Sequence, residues 1–212
     1  MWYFLTTVVN KKDTLIELNG SYDKMEKYFF SDIEDKMYFE NVKFSGIAQK
    51  GFTHKLLSQT DYLINARFGG IPVFSERFIE RTRLYLSDKI SFYPCQILLN
   101  NKSYNFFLCR IKQIMPVIDY EKSGYRILSD GNKIVDEPII IKENVDEELL
   151  IVRDSTYKSK IIVSNLFKKI VEKDFSIKTC TDLSLLNLMG YLFLAEKDYS
   201  VCILIFEKYI ML

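Results

Sequence analysis

Short apolar runs separated by charged residues fill the first seventy positions of this chain, and a clearer pattern begins at Ile71. The apolar runs lie at residues 2–9, 15–18 and 37–44. The first of them, WYFLTTVV, has the length and composition of a β-strand. Because Gly69 and Gly70 precede Pro72 and favour a turn, we predict that residues 1–70 form an N-terminal lobe.

The segment IPVFSERFIERTRLYL, which starts at Ile71, has the spacing of an amphipathic helix. Its apolar positions fall on one helical face, namely Phe78, Ile79, Thr82, Tyr85 and Leu86. Ser75 stands just before this face and is suited to cap the helix N-terminus, and Glu76 complements the helix dipole there. The pattern therefore predicts a helix with a serine cap.

Strand patterns follow this helix. Residues 91–111 read as two strands joined by a turn at Asn100 and Asn101. A second strand pair is indicated by YRIL and KIVDEPIIIK around the SDGN turn at 129–132, and residues 149–153 form a further short strand. These signals predict a sheet made mostly of antiparallel strands.

The strand, serine and helix pattern is echoed in IIVSNLFKKIVEKDFSIKTC, although such an arrangement also recurs by chance in many folds. Its Ser164, Phe167 and Cys180 correspond to Ser75, Phe78 and Cys95 of the first. The repeat implies two similar units, each with a helix packed on a shared sheet. We predict the α+β class, with a mostly antiparallel sheet and two or more Ser-capped helices packed on it. We also predict a single domain over 1–212, with sub-lobes at 1–70 and 71–184 and an apolar tail at 185–212.

The C-terminal part is apolar in two pieces, residues 183–195 and 201–212, which Glu196, Lys197 and Asp198 separate. Neither piece has the ~20 apolar residues that a membrane-spanning helix needs. They are interpreted as core elements or a docking surface, and a membrane-associated tail is the alternative. The N-terminus lacks the basic region and cleavage site of a secretory signal, so we expect a cytoplasmic protein without stable membrane insertion.

Composition and charge narrow the class of partner. The chain has 29 basic and 28 acidic residues, a net charge of +1, which provides no field to hold nucleic acid. Its four cysteines contain no C-x-x-C pair, and we expect reduced, buried thiols. Neither a cofactor nor a metal is predicted.

Candidate catalytic residues are few. His54 is the single histidine and has no Asp or Glu within six residues on either side, so we expect a surface or loop histidine. Glycine-rich phosphate loops are absent from the sequence. An enzyme that uses paired carboxylates would need pairs such as Asp119 with Glu121, or Asp136 with Glu137. Adjacent residues on a strand point to opposite faces, so Asp136 and Glu137 cannot converge without a bulge.

One charged segment departs from the balanced background. Between residues 136 and 148 a single Lys142 stands among six acidic residues, which are Asp136, Glu137, Glu143, Asp146, Glu147 and Glu148. One interpretation is a solvated strand edge and turn, since surface acid is common and aids solubility. The other is a binding patch for a basic partner.

The region 71–184 resembles a family of bacterial polymorphic-toxin immunity proteins, which are encoded beside the toxin that they neutralise. The resemblance rests on short segments in a characteristic order: IPVFSERF, FYPCQI with its hairpin, the aspartate of PVIDY, EPIIIK, LLIVRD and IIVSNLFKKIVEKD. The recurring positions are interpreted as structural, and these are Ser75, Glu76, Asp119, Arg153 and Ser164.

The resemblance implies a non-catalytic protein that inhibits a cognate protein toxin by stoichiometric binding. A basic nuclease-type toxin would match the acidic segment at 136–148, which is then the expected toxin-binding surface. Two other functions are kept as alternatives, a scaffold or interaction module and a carboxylate hydrolase. The oligomeric state is left open by the sequence.

Overall fold

The computed structural model describes residues 2–7, 15–30, 42–66, 70–129, 131, 133–135, 139–146, 148–174 and 204–208. Its strands are β1 Trp2–Thr7, β2 Ile16–Leu18, β3 Phe44–Ala48, β4 Tyr62–Leu63, β5 Val73–Ser75, β6 Ile90–Leu99, β7 Lys102–Ile111, β8 Ile114–Met115, β9 Tyr125–Ile127, β10 Lys133–Val135, β11 Ile151–Asp154, β12 Ile161–Ser164 and β13 Leu204–Lys208. Its helices are α1 Tyr22–Phe29, α2 His54–Gln59, α3 Glu76–Leu86, α4 Tyr120–Ser123 and α5 Asn165–Asp174.

The strands form two large sheets and one separate hairpin. One sheet has the order β2-β3-β6-β7-β5-β4, the other has the order β13-β1-β12-β11-β8, and β9 pairs with β10. Most neighbours are antiparallel, and the parallel pairs are β3 with β6 and β11 with β8. The predicted α+β class with mostly antiparallel strands is therefore confirmed.

The longest strand pair is the β6–β7 hairpin, whose turn was predicted from two asparagines. Asn100 and Asn101 have φ values of 47° and 65°, and Leu99 pairs with Lys102 on either side of them. A two-residue hairpin loop needs left-handed backbone, and asparagine adopts it more readily than other residues with side chains. The predicted turn is confirmed.

Helix α3 begins as predicted, with Ser75 as its cap. The Ser75 Oγ accepts a hydrogen bond from the Phe78 amide at 3.1 Å. Four positions of the predicted apolar face are buried, namely Phe78, Ile79, Thr82 and Leu86. The prediction is wrong for Tyr85, which is 48% exposed because the buried face of this short helix is narrower than the apolar pattern.

The second serine-capped unit is also present, with Ser164 Oγ accepting from the Phe167 amide at 3.3 Å at the start of α5. The expectation that both units share one sheet is wrong, because β5 lies in the six-stranded sheet and β12 lies in the five-stranded one. Each of these strands already has neighbours on both edges, so they cannot pair with each other. The units meet through their helices instead, with the Phe78 and Phe167 ring centroids 6.5 Å apart.

Three clusters of buried apolar residues hold these elements together. The first lies between the two large sheets and includes Phe74 and Ile111 from one and Val163 from the other. The second covers the opposite face of the six-stranded sheet, where Phe29 of α1 packs. The third lies under the β9–β10 hairpin, where Val135 contributes from β10. Helices and hairpin are thus fixed by burial against the sheets.

The terminal segments enter the sheets at different places. Strand β1 pairs with β12 and β13, whereas β3 joins the six-stranded sheet beside β6. Residues 1–70 thus contribute to both sheets, and the division into sub-lobes stays a prediction. Of the apolar tail at 185–212, only β13 is among the described residues. Within the described ranges, no helix has the length and apolar character needed to cross a membrane.

Cys95 and Cys109 are free thiols buried in the sheet core, as expected, while Cys180 and Cys202 lie outside the described residues. Burial raises the pKa of the Cys95 thiol to about 12 and raises the pKa of the Cys109 thiol well above its ordinary value. The reactive thiolate is therefore scarce and shielded at both positions.

We expect these two thiols to react with a disulfide reagent at pH 8 at least ~100-fold more slowly in the native protein than in urea. Peptide mapping by mass spectrometry distinguishes them from the other two cysteines. Modification of the Cys95 or Cys109 peptide at the same rate in both states would contradict the burial.

Candidate functional site

The acidic segment is exposed where the structure describes it. Glu143, Asp146 and Glu148 lie in the loop between β10 and β11, and all three are exposed. Asp136, Glu137 and Glu147 lie outside the described residues. The Asp146 side chain accepts a hydrogen bond from the Glu148 amide at 2.9 Å, which gives this loop a local turn. The structure therefore brings together half of the predicted binding residues.

Helix α4 lies beside this loop and adds two carboxylates to it, Asp119 and Glu121. Asp119 caps the helix, since its Oδ1 accepts from the Lys122 amide at 3.0 Å. The Lys122 Nζ is 2.9 Å from Glu143 Oε1 and 4.0 Å from Asp119 Oδ2. The hydrogen bond to Glu143, and then its charge, raise the pKa of Lys122. We name Asp119, Glu121, Glu143, Asp146 and Glu148 the acidic face.

A buried carboxylate, Asp154 at the end of β11, holds this region in place. It accepts five hydrogen bonds at 2.6–3.0 Å, from the amides of Val117, Ile118, Thr156 and Tyr157 and from the hydroxyl of Tyr120. Burial and the bond to Asp154 together raise the pKa of Tyr120. One side chain thus joins β11 to the segment that leads into α4.

Arg153, the preceding residue on β11, is also fully buried. Its guanidinium donates to the Gly70 carbonyl at 2.7 Å and to the Lys158 carbonyl, and it lies 4.5 Å from the Phe30 ring centroid. Burial lowers the pKa of Arg153 to about 9 because a desolvated charge is disfavoured. The structural interpretation of Arg153 is confirmed, since it links three separate segments.

The β9–β10 hairpin places apolar side chains in solvent beside the acidic face. Tyr125, Ile127 and Leu128 are 41%, 64% and 42% exposed, and we name them the hairpin patch. The Tyr125 ring packs edge-on against Tyr120 with 6.0 Å between centroids, and the Lys133 Nζ lies 4.4 Å from its centre. The patch is therefore held against α4.

The hairpin patch was not identified from the sequence as a candidate surface. The letters YRIL indicate a strand, and a three-residue strand gives no alternation that separates an exposed apolar residue from a buried one. The signal that the sequence does carry is the dense charge and turn composition on both sides of this strand, which is typical of a hairpin at the surface.

An open cleft of about 580 Å³ lies in the acidic face, lined by residues 118–122 and 142–144. Two of its three carboxylates are engaged, Asp119 as a helix cap and Glu143 with Lys122. Asp119 therefore has a structural role as the cap of α4. Nowhere in the described ranges do three or more His, Cys, Asp or Glu side chains gather as metal ligands.

Ser75 and His54 also have structural partners. The Ser75 hydroxyl donates to Asp61 Oδ1 at 2.5 Å, and Arg77 Nη2 donates to the other oxygen of Asp61 at 2.6 Å. His54 is exposed at the start of α2, with its Nδ1 2.6 Å from the Tyr104 hydroxyl. The serine thus works as a helix cap, and the expected surface histidine is confirmed.

Comparison with known families places this chain among the immunity proteins, because a family model of that class matches residues 11–188. Since the match covers most of the chain, the protein belongs to the Immunity protein family Imm11. The match begins at residue 11, so it includes most of the N-terminal region as well as the segments that carry the sequence resemblance. A search of curated proteins finds no match.

Proposed function

We propose that this protein binds a cognate toxin and neutralises it by stoichiometric inhibition. The observation that carries the proposal is membership of an immunity protein family, which is generally non-catalytic. Inhibition by binding needs a complementary surface of about 800 Å² on each partner, and it needs no set of titratable residues in a pocket. We place the complex in the cytoplasm, where an immunity protein meets an incoming or newly made toxin.

We further propose that the acidic face contacts the toxin and that the toxin surface is basic, as in nuclease-type domains. Exposed carboxylates at Glu143, Asp146 and Glu148 support this choice of surface. Opposite charges speed the encounter of two proteins and penalise partners of the wrong sign. Asp136, Glu137 and Glu147 are included in the proposed surface on sequence grounds.

A growth rescue assay tests the function. The C-terminal domain of the protein encoded immediately upstream is expressed with and without this chain, and the two are tested for co-purification. Rescue together with co-purification is the expected result. Co-purification without rescue would support a scaffold or interaction module, and toxicity with neither rescue nor binding would contradict the proposal.

Reversing the charge of the acidic face should slow binding to that toxin domain. For the triple variant Glu143→Lys, Asp146→Lys and Glu148→Lys, we expect the association rate constant at low salt to fall by about tenfold or more. The difference should shrink at high salt because screening weakens long-range attraction. Stopped-flow or surface-based kinetics at two salt concentrations measure it.

The matched control reverses three other exposed acids, Glu26, Glu80 and Asp88, and gives the same net charge. We expect its association rate to stay within about threefold of the wild type, since these residues lie on other elements. Equal slowing by both triples would show that overall charge, and no particular face, sets the rate.

A further inference from the structure

We infer that the hairpin patch is the apolar centre of the toxin interface and that the acidic face is its charged rim. This inference rests on the proposed function and adds which part of the surface makes the central contact. The partner that fits is a protein surface with an apolar area surrounded by basic side chains. The acidic rim excludes nucleic acid as the occupant, because the carboxylates of the acidic face would repel its phosphates.

Exposure is the first argument. Single exposed apolar residues are normal on protein surfaces, whereas the hairpin patch places three of them within four consecutive positions. Tyr125 is an aromatic of the type that is enriched at the centres of protein interfaces. An apolar centre with a charged rim is the usual composition of such an interface.

Rigidity is the second argument. The hairpin is anchored by the buried Val135 of β10, and the Tyr125 ring is held between Tyr120 and Lys133. Tyr120 is in turn fixed by its 2.6 Å hydrogen bond to Asp154. A surface that is already ordered loses little conformational entropy on binding, so its apolar contacts contribute more to affinity.

The edge of the hairpin is the third argument. Among the described strands, β9 has β10 as its one neighbour. All three residues of β9 are exposed on this outer strand. The outer strand of a sheet is the kind of edge to which another protein can add a strand. This geometry favours a protein partner that also forms main-chain hydrogen bonds.

The contiguity of patch and rim is the fourth argument. Lys122 of α4 bonds to Glu143 in the acidic face, while Tyr120 of the same helix touches Tyr125 in the hairpin patch. Val145 and Val135 pack on the same buried cluster. One partner surface of ordinary size can therefore contact the hairpin patch and the acidic face together.

The test uses the full-length protein and, as probe, the purified C-terminal domain of the upstream-encoded protein. The variant Ile127→Ser with Leu128→Ser removes two apolar side chains of the patch. We expect its Kd to rise by at least about tenfold and growth rescue to weaken in proportion.

The chain offers a closely matched control, Ile47→Ser with Leu98→Ser. Ile47 and Leu98 are cross-strand neighbours on the six-stranded sheet, are the same residue types, and are 54% and 40% exposed. We expect this variant to bind the toxin domain like the wild type. Thermal melting of both variants checks that each is folded.

Hydrogen exchange of the wild-type protein, with and without the toxin domain, gives an answer that needs no variant. Protection of the amides at 125–128 on binding is the expected result. Wild-type binding together with unchanged exchange there, or an unchanged Kd for the patch variant, would overturn this inference and leave the proposed function standing. Failure of the wild type to bind or rescue would contradict the proposed function itself.

Discussion

Replacing Asp154 with alanine should lower the free energy of unfolding by about 3–5 kcal/mol. The carboxylate accepts five hydrogen bonds, four of them from backbone amides. Truncation leaves donors unpaired in the protein interior, and each such group loses hydration without regaining a partner. Urea unfolding followed by circular dichroism measures the change, with equal m-values confirming that both proteins unfold in the same way.

Asp146→Ala is the matched control for this prediction. Asp146 is also an aspartate whose side chain accepts from a backbone amide, that of Glu148, but it is exposed. We expect a loss below about 1 kcal/mol, as for other surface sites. If Asp154→Ala cost no more than Asp146→Ala, the buried network would not be what secures α4 and the hairpin.

Arg153→Ala should be destabilising to a similar extent, by about 3–5 kcal/mol. The substitution opens a cavity where one of the largest fully buried side chains lies, and it removes the donors to the Gly70 and Lys158 carbonyls. The same unfolding measurement applies. The bridge also needs a glycine at 70, since a Cβ there would lie 2.7 Å from Ser159 Cα.

Two further substitutions at Arg153 separate geometry from volume. Arg153→Met retains much of the volume and removes a desolvated charge, so we expect a smaller loss than with alanine. Arg153→Lys keeps the charge, but a single ammonium lacks the guanidinium fork that reaches two carbonyls. We therefore still expect a measurable loss of unfolding free energy. A lysine variant as stable as the wild type would contradict the role of the guanidinium fork.

Local features of this fold were predictable because their causes lie within a few residues. Ser75 and Ser164 each cap a helix by accepting from the amide three residues ahead, and Asn100 with Asn101 sets a two-residue hairpin turn. Each signal combines a side chain that can accept a nearby amide, or tolerate left-handed backbone, with an apolar pattern beside it. These features can therefore be predicted without knowledge of the tertiary packing or of the partner strands.

The division into two sheets and the burial of charge depend on distant residues. The segment LLIVRD reads as a strand that ends in two charges, and the sequence gives no sign that both charges are buried. Arg153 is buried where its guanidinium reaches the Gly70 carbonyl, 83 residues earlier in the chain, and the Lys158 carbonyl. Asp154 finds its amide donors near Val117, some 36 residues earlier.

Only the charged part of the candidate surface could be predicted from the sequence. A run of carboxylates is visible in any sequence, so Glu143, Asp146 and Glu148 were identified and are exposed. The hairpin patch depends on β9 being the outer strand of its hairpin, with all three of its residues exposed, while Val135 of β10 is buried against the protein body. Sequence composition therefore identifies a charged segment, whereas the exposure of apolar residues depends on tertiary packing.

The position of β1 between β12 and β13 has a consequence for synthesis on the ribosome. Trp2 pairs with Ser164 and Tyr3 with Lys208, so the strand emerges long before its neighbours exist. At 5–20 residues per second, β1 stays without both of its partner strands for roughly ten to forty seconds. The five-stranded sheet can therefore close only after the last part of the chain has been made, and until then the apolar side chains of β1 are open to aggregation or to binding by a chaperone.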